Sequence, residues 1–392
     1  MTNRFKYPLL LTLSLCVLML GSQTLSNKKE SEYRFTVIKN LENTPVQNQN
    51  QTSTCWSFSS LSFFESELIR MGKGKDFNLS EMFVVRQVYP MKAVNYIRMH
   101  GRTNFAEGGG FPDVLQVLKN QGMVPEEVYS GKKDPAAPHN HKLLETTLKN
   151  ILHPASLDET QKIDFGFLLN TVNAVCDEYL GKVPASFEYK GKQYTPKTYA
   201  EAMGIKADDY VLLTSFTHHP FYSQFVLEIP DNWNWQTVYN VPLNDLQSIM
   251  TTAITNGFTF AWGADVSEKG FLRADGLAIV PETPFAQMTE EERKSIALKP
   301  MKQLAITQEL RQKAFDNYET QDDHGMHIVG LVKDQNGTVY YIVKNSWGKE
   351  SNQCDGYFYA SESYVLYKTT SIMIHKKALP ADIAKKLGIA QN

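Results

Sequence analysis

The sequence predicts an α+β chain in two lobes, helical first and β-rich last, and three observations carry this. Apolar residues between Cys55 and Gln121 recur at helical spacing. From Phe258 onward the chain changes to short runs rich in aromatic and β-branched residues, the mark of strands. Between two such runs, Lys333-Asp334-Gln335-Asn336-Gly337 contains an Asn-Gly pair, a strong hairpin signal. A chain of 392 residues is long enough to bury a large core and to hold two subdomains around one cleft.

Residues 1–26 read as an export signal. Arg4 and Lys6 precede the apolar run Leu9 to Leu20, and the small or polar Gly21, Ser22, Thr24 and Ser26 follow. A run of twelve residues is too short to span a bilayer comfortably. Cys16 follows Leu15, where a lipidation site needs a small residue, so the expectation is a soluble exported protein, periplasmic or extracellular, with no stable membrane association after cleavage. Asn27 to Tyr33 reads as a flexible lead-in, and Phe35-Thr36-Val37-Ile38 as a short strand.

The helical lobe is expected over 33–130. Phe58, Leu61, Phe64 and Leu68 form a helical stripe ending before Gly72, with Ser53 or Thr54 to cap its start and Cys55 at its first turn. Ser80-Glu81 introduces Met82 to Tyr89, and Pro112 to Gln121 forms another helix stopped by Gly122. An insertion or lobe extension is expected over 131–240, with a helix at Ile163 to Leu180. The β-rich lobe, 241–377, opens with a helix at Pro242 to Thr255, followed by the strand Phe258 to Gly263 and the hairpin pair Met326 to Val332 and Thr338 to Val343. A C-terminal arm covers 378–392.

Bulk charge removes some function classes. With 40 basic and 42 acidic residues and a pI near 6.5, no electrostatic footprint for nucleic acid or an acidic membrane is present. Without the leader three cysteines remain, Cys55, Cys176 and Cys354, too few for a disulfide framework. His218-His219 and His139-Asn140-His141 lack a carboxylate at metal-motif spacing, so neither a metal nor another cofactor is expected.

The chemistry concentrates on Cys55. A thiol at a helix N-terminus meets unpaired N–H groups and the positive end of the helix dipole, which favour thiolate. An adjacent imidazolium adds to this, and such a pair attacks a carbonyl carbon and then protonates the leaving amine. A lone cysteine before a hydrophobic helix is more often an inert buried thiol. Here it has distant partners of the right types: His324 in Asp323-His324-Gly325-Met326 and Asn345 in Asn345-Ser346-Trp347-Gly348. His327 competes as the base, but alternation along the strand puts it opposite Met326 and Ile328, where a packed histidine is the simpler reading.

These segments, in this order, resemble the papain superfamily of cysteine peptidases. Val46-Gln47-Asn48-Gln49 lies upstream of Cys55-Trp56-Ser57-Phe58 at the offset of that superfamily's glutamine and nucleophile, and Gly109-Gly110-Phe111-Pro112 is similar to its glycine pair beside the substrate cleft. The resemblance implies a papain-like two-lobed fold, with a helical lobe and an antiparallel β-barrel-like lobe. It also implies Cys55 as nucleophile, His324 as base, and Asn345 as the group that orients it. Gln49 would serve at the oxyanion, Trp347 as a shield over the histidine–asparagine bond, and Gly109 and Gly110 as substrate-binding backbone.

Arg311 to Asp316, Trp262 to Val266 and the ending Ile374 to Pro380 resemble the bleomycin hydrolase and aminopeptidase C branch. Members of that branch assemble as hexameric rings and insert a C-terminal arm into the cleft, which restricts them to removing N-terminal residues. Here only fifteen residues follow Lys377. The expected function is an exported thiol aminopeptidase acting on peptides through a thioester acyl-enzyme. An endopeptidase, an acyltransferase using the same triad and a non-catalytic peptide-binding groove are the alternatives.

Overall fold

A computed structural model describes residues 25–157 and 162–391; the export-signal reading falls almost wholly outside them. Helices gather in the first half and a large mixed sheet in the second. The helix that begins at Cys55, Cys55–Arg70, packs against Glu81–Arg98 and Phe111–Asn120. Lys142–Leu157 and Phe165–Leu180 then cover Glu81–Arg98 from the far side. These helices share one apolar core, in which Phe63, Phe64, Leu68, Phe83 and Val117 are fully buried.

The sheet is built on the long strand His324–Lys333, which pairs antiparallel with Phe260–Ala264 on one side and Val339–Lys344 on the other. Thr369–His375 extends the sheet beyond Phe260–Ala264, and Tyr357–Ser361 extends it beyond Val339–Lys344. Two pairings are parallel, Leu277–Ala278 with Tyr357–Ser361 and Tyr210–Thr214 with Thr237–Asn240. The pairings follow a path with two ends, not the closed ring of a barrel. Ala261 and Met373 face the helical core, while Trp262, Met326, Ile328 and Ile372 face a second core capped by the helix Leu243–Thr255. Alternation along each strand thus feeds two cores from one sheet.

Two expectations change. The stretch 131–240 is no single insertion: its helices join the helical lobe, but Tyr210–Thr214, Gln224–Val226 and Thr237–Asn240 belong to the main sheet. Their short, turn-interrupted runs hide the pairing partner, Thr369–His375, more than 150 residues away. The segment from Asn27 to Tyr33 is fixed, not flexible. Asn27 is fully buried and its amide donates to the carbonyls of Asp275 and Ala297, while Tyr33 lies in a small aromatic core with Phe35 and Tyr340. The Asn-Gly hairpin is present as expected, joining His324–Lys333 to Val339–Lys344; its loop is organised by Asp334, whose carboxylate accepts from the N–H groups of Asn336 and Thr338, with Gly337 at φ +86°.

The helix Gln308–Asp316 leads the chain toward His324. It is clamped by Arg311, a fully buried guanidinium that donates to the carbonyls of Ser215, Leu366 and Thr369 and lies over the Phe216 ring. Burial alone pushes its pKa down to about 9. Three carbonyl acceptors compensate that cost with charge-assisted bonds.

Candidate active site

A cleft of about 620 Å³ runs between the lobes. Cys55, Gly109 and Gly110 line it from the helical side, His324 and Gly325 from the sheet side. Cys55 is the first residue of its helix. Thr54 precedes it, but no side chain caps the turn, contrary to the Ser53 or Thr54 cap expected, because the Thr54 hydroxyl is engaged with that of Thr52 at 2.6 Å. The first N–H groups are therefore not taken up by a capping side chain.

Gly325 decides how close the lobes come. A Cβ on it would lie 2.8 Å from Ser59 Oγ, 3.3 Å from Trp56 Cα and 3.4 Å from the carbonyl carbon of Cys55. Any side chain would push the first turn of the helix off the strand, and with it the thiol away from His324. Gly109 has a related constraint, since a Cβ there would meet the Trp56 ring at 2.9 Å and Asp113 Oδ2 at 2.8 Å. Gly110, with φ −126° and ψ 170°, is extended backbone on the cleft wall.

His324 is held on its outer edge. Its Nε2 lies 2.7 Å from Asn345 Oδ1, which also accepts the Ser346 N–H at 2.8 Å. Two donors at one oxygen fix the amide, so Nε2 carries the proton and Nδ1 is the free base. The Trp347 ring stacks on the imidazole at 4.6 Å and 26°, and the Arg273 guanidinium lies 4.2 Å from the other ring system. His327 is fully buried, with Nδ1 2.9 Å from Ser62 Oγ on the Cys55 helix, and does not line the cleft.

Gln49 is joined to the asparagine segment, a link absent from the linear pattern. Its N–H donates to the Ser346 carbonyl at 2.9 Å, its Oε1 accepts from Ser346 Oγ at 2.7 Å, and Gly348 N–H donates to the Gln47 carbonyl at 3.0 Å. Residues 47–49 thus run antiparallel to 346–348. Its Nε2 donates one hydrogen to the Thr52 carbonyl at 2.7 Å, and Gln49 is not among the lining residues. Gln47 and Gln51 bond outward, to Asn78 and Asn140.

Electrostatics at the thiol oppose a resting ion pair. Burial pushes the Cys55 thiol up to about 12, against backbone N–H groups of Gly325 and Trp56 that lower it and with Asp322 and Asp231 that raise it. A helix N-terminus contributes about 0.3–1 kcal/mol, under one pKa unit, so it does not offset this. The residue keeps an open face to the cleft, which moderates the shift without reversing its direction. Burial also pushes His324 down to about 4. Among the described residues no hydrogen bond joins Cys55 Sγ to the imidazole, and burial favours the uncharged form of each.

The sequence reading overlooked the acidic side of the cleft. Asp113, Asp231, Asp322 and Asp323 line it, and among the described residues no lysine or arginine does. Asp113 is tied to Gly110 N–H and Trp233 Nε1, and Asp323 to the N–H groups of Val266 and Ser267. Burial, then Asp231 and Asp323, push Asp322 up to about 7. The three cysteines of the described residues are free. From Ala378 to Gln391 the C-terminal segment lies away from the cleft: Gln391 donates to the carbonyls of Lys376 and Leu379, and Ile389 packs on the second core.

The sequence pattern described as the Peptidase C1-like family matches residues 95–389, which include His324 and Asn345 but not Cys55. Aminopeptidase C of Listeria monocytogenes is 26% identical over 388 residues, covering 86% of this chain and 81% of that protein. Aminopeptidase G of Lactobacillus delbrueckii is 22% identical over 375 residues, covering 86% and 82%. The crystal structure of PepW from a Lactobacillus superposes with a TM-score of 0.72 at 19% identity, covering 90% of this chain and 84% of that one.

His139 and His141 pack inside, edge to face at 6.3 Å, next to the loop that bears Gln49. His141 is 2% exposed, and neither of its ring nitrogens has a partner. Burial pushes it from 6.5 down to about 4, a difference of about 3 kcal/mol between protonation states. The unfolded chain then binds the proton first, so this stability is complete above pH 6.5 and is lost as pH falls toward 4. Urea unfolding of His141→Phe at pH 7 and pH 4.5 should give a smaller loss between the two pH values than the wild type gives. Equal losses would remove His141 from the account.

Proposed function

The chain belongs to the Peptidase C1-like family, and from that premise we propose that it is a cysteine aminopeptidase working through Cys55, His324 and Asn345. One observation carries the reading: a histidine whose outer nitrogen is engaged by a fixed asparagine lines the same cleft as a cysteine at a helix N-terminus.

With burial favouring the uncharged form of both groups, proton transfer accompanies attack instead of preceding it. His324 Nδ1 takes the thiol proton as Sγ bonds to the carbonyl carbon, and the imidazolium formed is stabilised by the Asn345 carbonyl oxygen. The tetrahedral oxyanion is met by the Cys55 backbone N–H and by the remaining Nε2 hydrogen of Gln49, after a small turn of its amide. The intermediate collapses when His324 returns the proton to the departing amine, leaving a thioester. Water, deprotonated by the same nitrogen, attacks the thioester carbon, and the thiolate leaves and is reprotonated. Trp347 keeps water from the His324–Asn345 bond throughout.

Restriction to N-termini is supported by the relatives' names and by the acidic cleft. Asp231, which accepts from Asn104 and is pushed up by burial against the lowering pull of nearby Lys92, and Asp322, beside Thr370, line the cleft without a salt bridge among the described residues, and an α-ammonium would be received there. With the arm through Gln391 packed elsewhere, these carboxylates take the place of a chain terminus in the cleft. Mass-spectrometric mapping of a peptide library tests this. Peptides with free N-termini should lose residues one at a time, acetylated ones should be cut at least tenfold more slowly, and Cys55→Ala should abolish both. Equal or internal cleavage would indicate an endopeptidase; transfer to an added amine as the main product would indicate an acyltransferase.

Residues 1–26 are proposed to be removed on export. Asn27 is the first fully buried side chain of the described residues and would anchor the new terminus. Intact mass of the protein recovered from outside the cytoplasm should place the mature terminus within a few residues of Asn27; a full-length chain retained in the cytoplasm would refute export.

A further inference from the structure

On the outer side of the cleft wall, three side chains converge on one point without serving the catalytic site. His218 Nε2 lies 3.1 Å from Glu228 Oε2, and His219 Nε2 lies 2.8 Å from Glu228 Oε1. Glu228 is the carboxylate that sequence spacing did not reveal, brought in by the strand Gln224–Val226 just before it. We propose that His218, His219 and Glu228 form a binding site for a divalent transition metal of the zinc class, with water in the fourth position.

The donor set and its spacing fit such an ion. Two imidazoles and a carboxylate are zinc ligands, and tetrahedral ligands at the usual bond lengths lie about 3.4 Å apart. Here three donor atoms, one from each residue, all lie within 4.8 Å of one another, and each ring nitrogen already touches one oxygen of Glu228, at 3.1 Å and 2.8 Å. The set has to contract around the ion, at an exposed edge where water can enter. An ion pair alone gives little reason for this arrangement, since exposed pairs contribute little to stability.

The site is built from behind. Adjacent residues direct both rings at one carboxylate because the turn 216–220 is pinned by Asn240, a fully buried side chain. Its Nδ2 donates to the carbonyls of Phe216, His219 and Pro220, and its Oδ1 accepts the Phe216 N–H. The His218 ring stacks on Phe315 and the His219 ring on Phe225, which directs both toward Glu228. Gln312 Nε2 donates to His218 Nδ1 at 3.0 Å, which leaves the proton on Nε2. Loading requires that proton to move to Nδ1 and the Gln312 amide to turn to receive it, giving up its present bonds with the Thr217 N–H and Asp316.

The consequence reaches the cleft. Leu227, Ile229 and Asp231 line it, whereas Glu228 between them points outward, so a bound ion ties the inner wall to the turn 216–220. Zinc would also bind a thiol paired with a histidine, so the test uses the Cys55→Ala protein and does not depend on the peptidase reading. Calorimetric titration with zinc chloride should give one ion per chain at micromolar concentration and raise the thermal midpoint. His219→Ala and Glu228→Gln in the same background should each weaken binding at least about tenfold, while leaving the metal-free midpoint within a few degrees. Cobalt(II) should give the visible absorption of a tetrahedral site in the parent alone. Absence of binding at millimolar zinc, or binding unchanged by both substitutions, overturns the proposal.

Discussion

The close contact between the first turn of the Cys55 helix and Gly325 is the constraint on which the rest of the structure depends. A helix packs on a sheet at a distance set by the side chains between them. Here one position carries none, so the backbone at Cys55 and Trp56 comes down onto the strand beside His324. Gly325 pairs with Gly263 of Phe260–Ala264, and from His327 onward the strand also pairs with Val339–Lys344, so this position is held by the sheet instead of by a flexible loop. Loss of that one hydrogen-sized side chain would separate thiol from base by displacing an entire helix.

A second device sets the lateral register. Residues 47–49 hydrogen-bond to 346–348, so the glutamine and asparagine segments move together. Behind them Glu65, Thr44 and Lys344 form a buried polar link: Lys344 Nζ donates to Thr44 Oγ1 at 2.9 Å, Thr44 bonds Glu65, and Glu65 accepts the Leu79 N–H at 2.8 Å. Burial pushes Lys344 down to about 8 and Glu65 up, with each charge partly restoring the other. Such links, fully satisfied, fix one arrangement of a core. This one connects the helix that carries Cys55 to the strand end that carries Asn345.

Much of this was legible in the sequence because periodic segments and local motifs report local structure. The helix at Cys55 lies where spacing puts it, and the strands expected over Met326 to Val332 and Thr338 to Val343 are found as His324–Lys333 and Val339–Lys344. What was not legible is pairing at a distance. Nothing near Tyr210 announces Thr369–His375 as its neighbour, and nothing near Asn27 announces the carbonyls of Asp275 and Ala297. The acidity of the cleft is of the same kind, since Asp231 and Asp322 are far apart in the chain and meet only in the fold. The direction of the thiol's shift follows from that meeting too. Position at a helix N-terminus argues for thiolate, whereas burial and two carboxylates, seen only in three dimensions, argue more strongly for thiol.

The central claim is that Cys55 carries the acyl group. Rapid quenching of the protein with an amino-acid ester, followed by digestion and mass spectrometry, measures this directly. The account predicts an acyl adduct on the peptide containing Cys55 that appears before product reaches steady state, and none on Cys176 or Cys354. Product formation at full rate with Cys55 unmodified at every time point would contradict it.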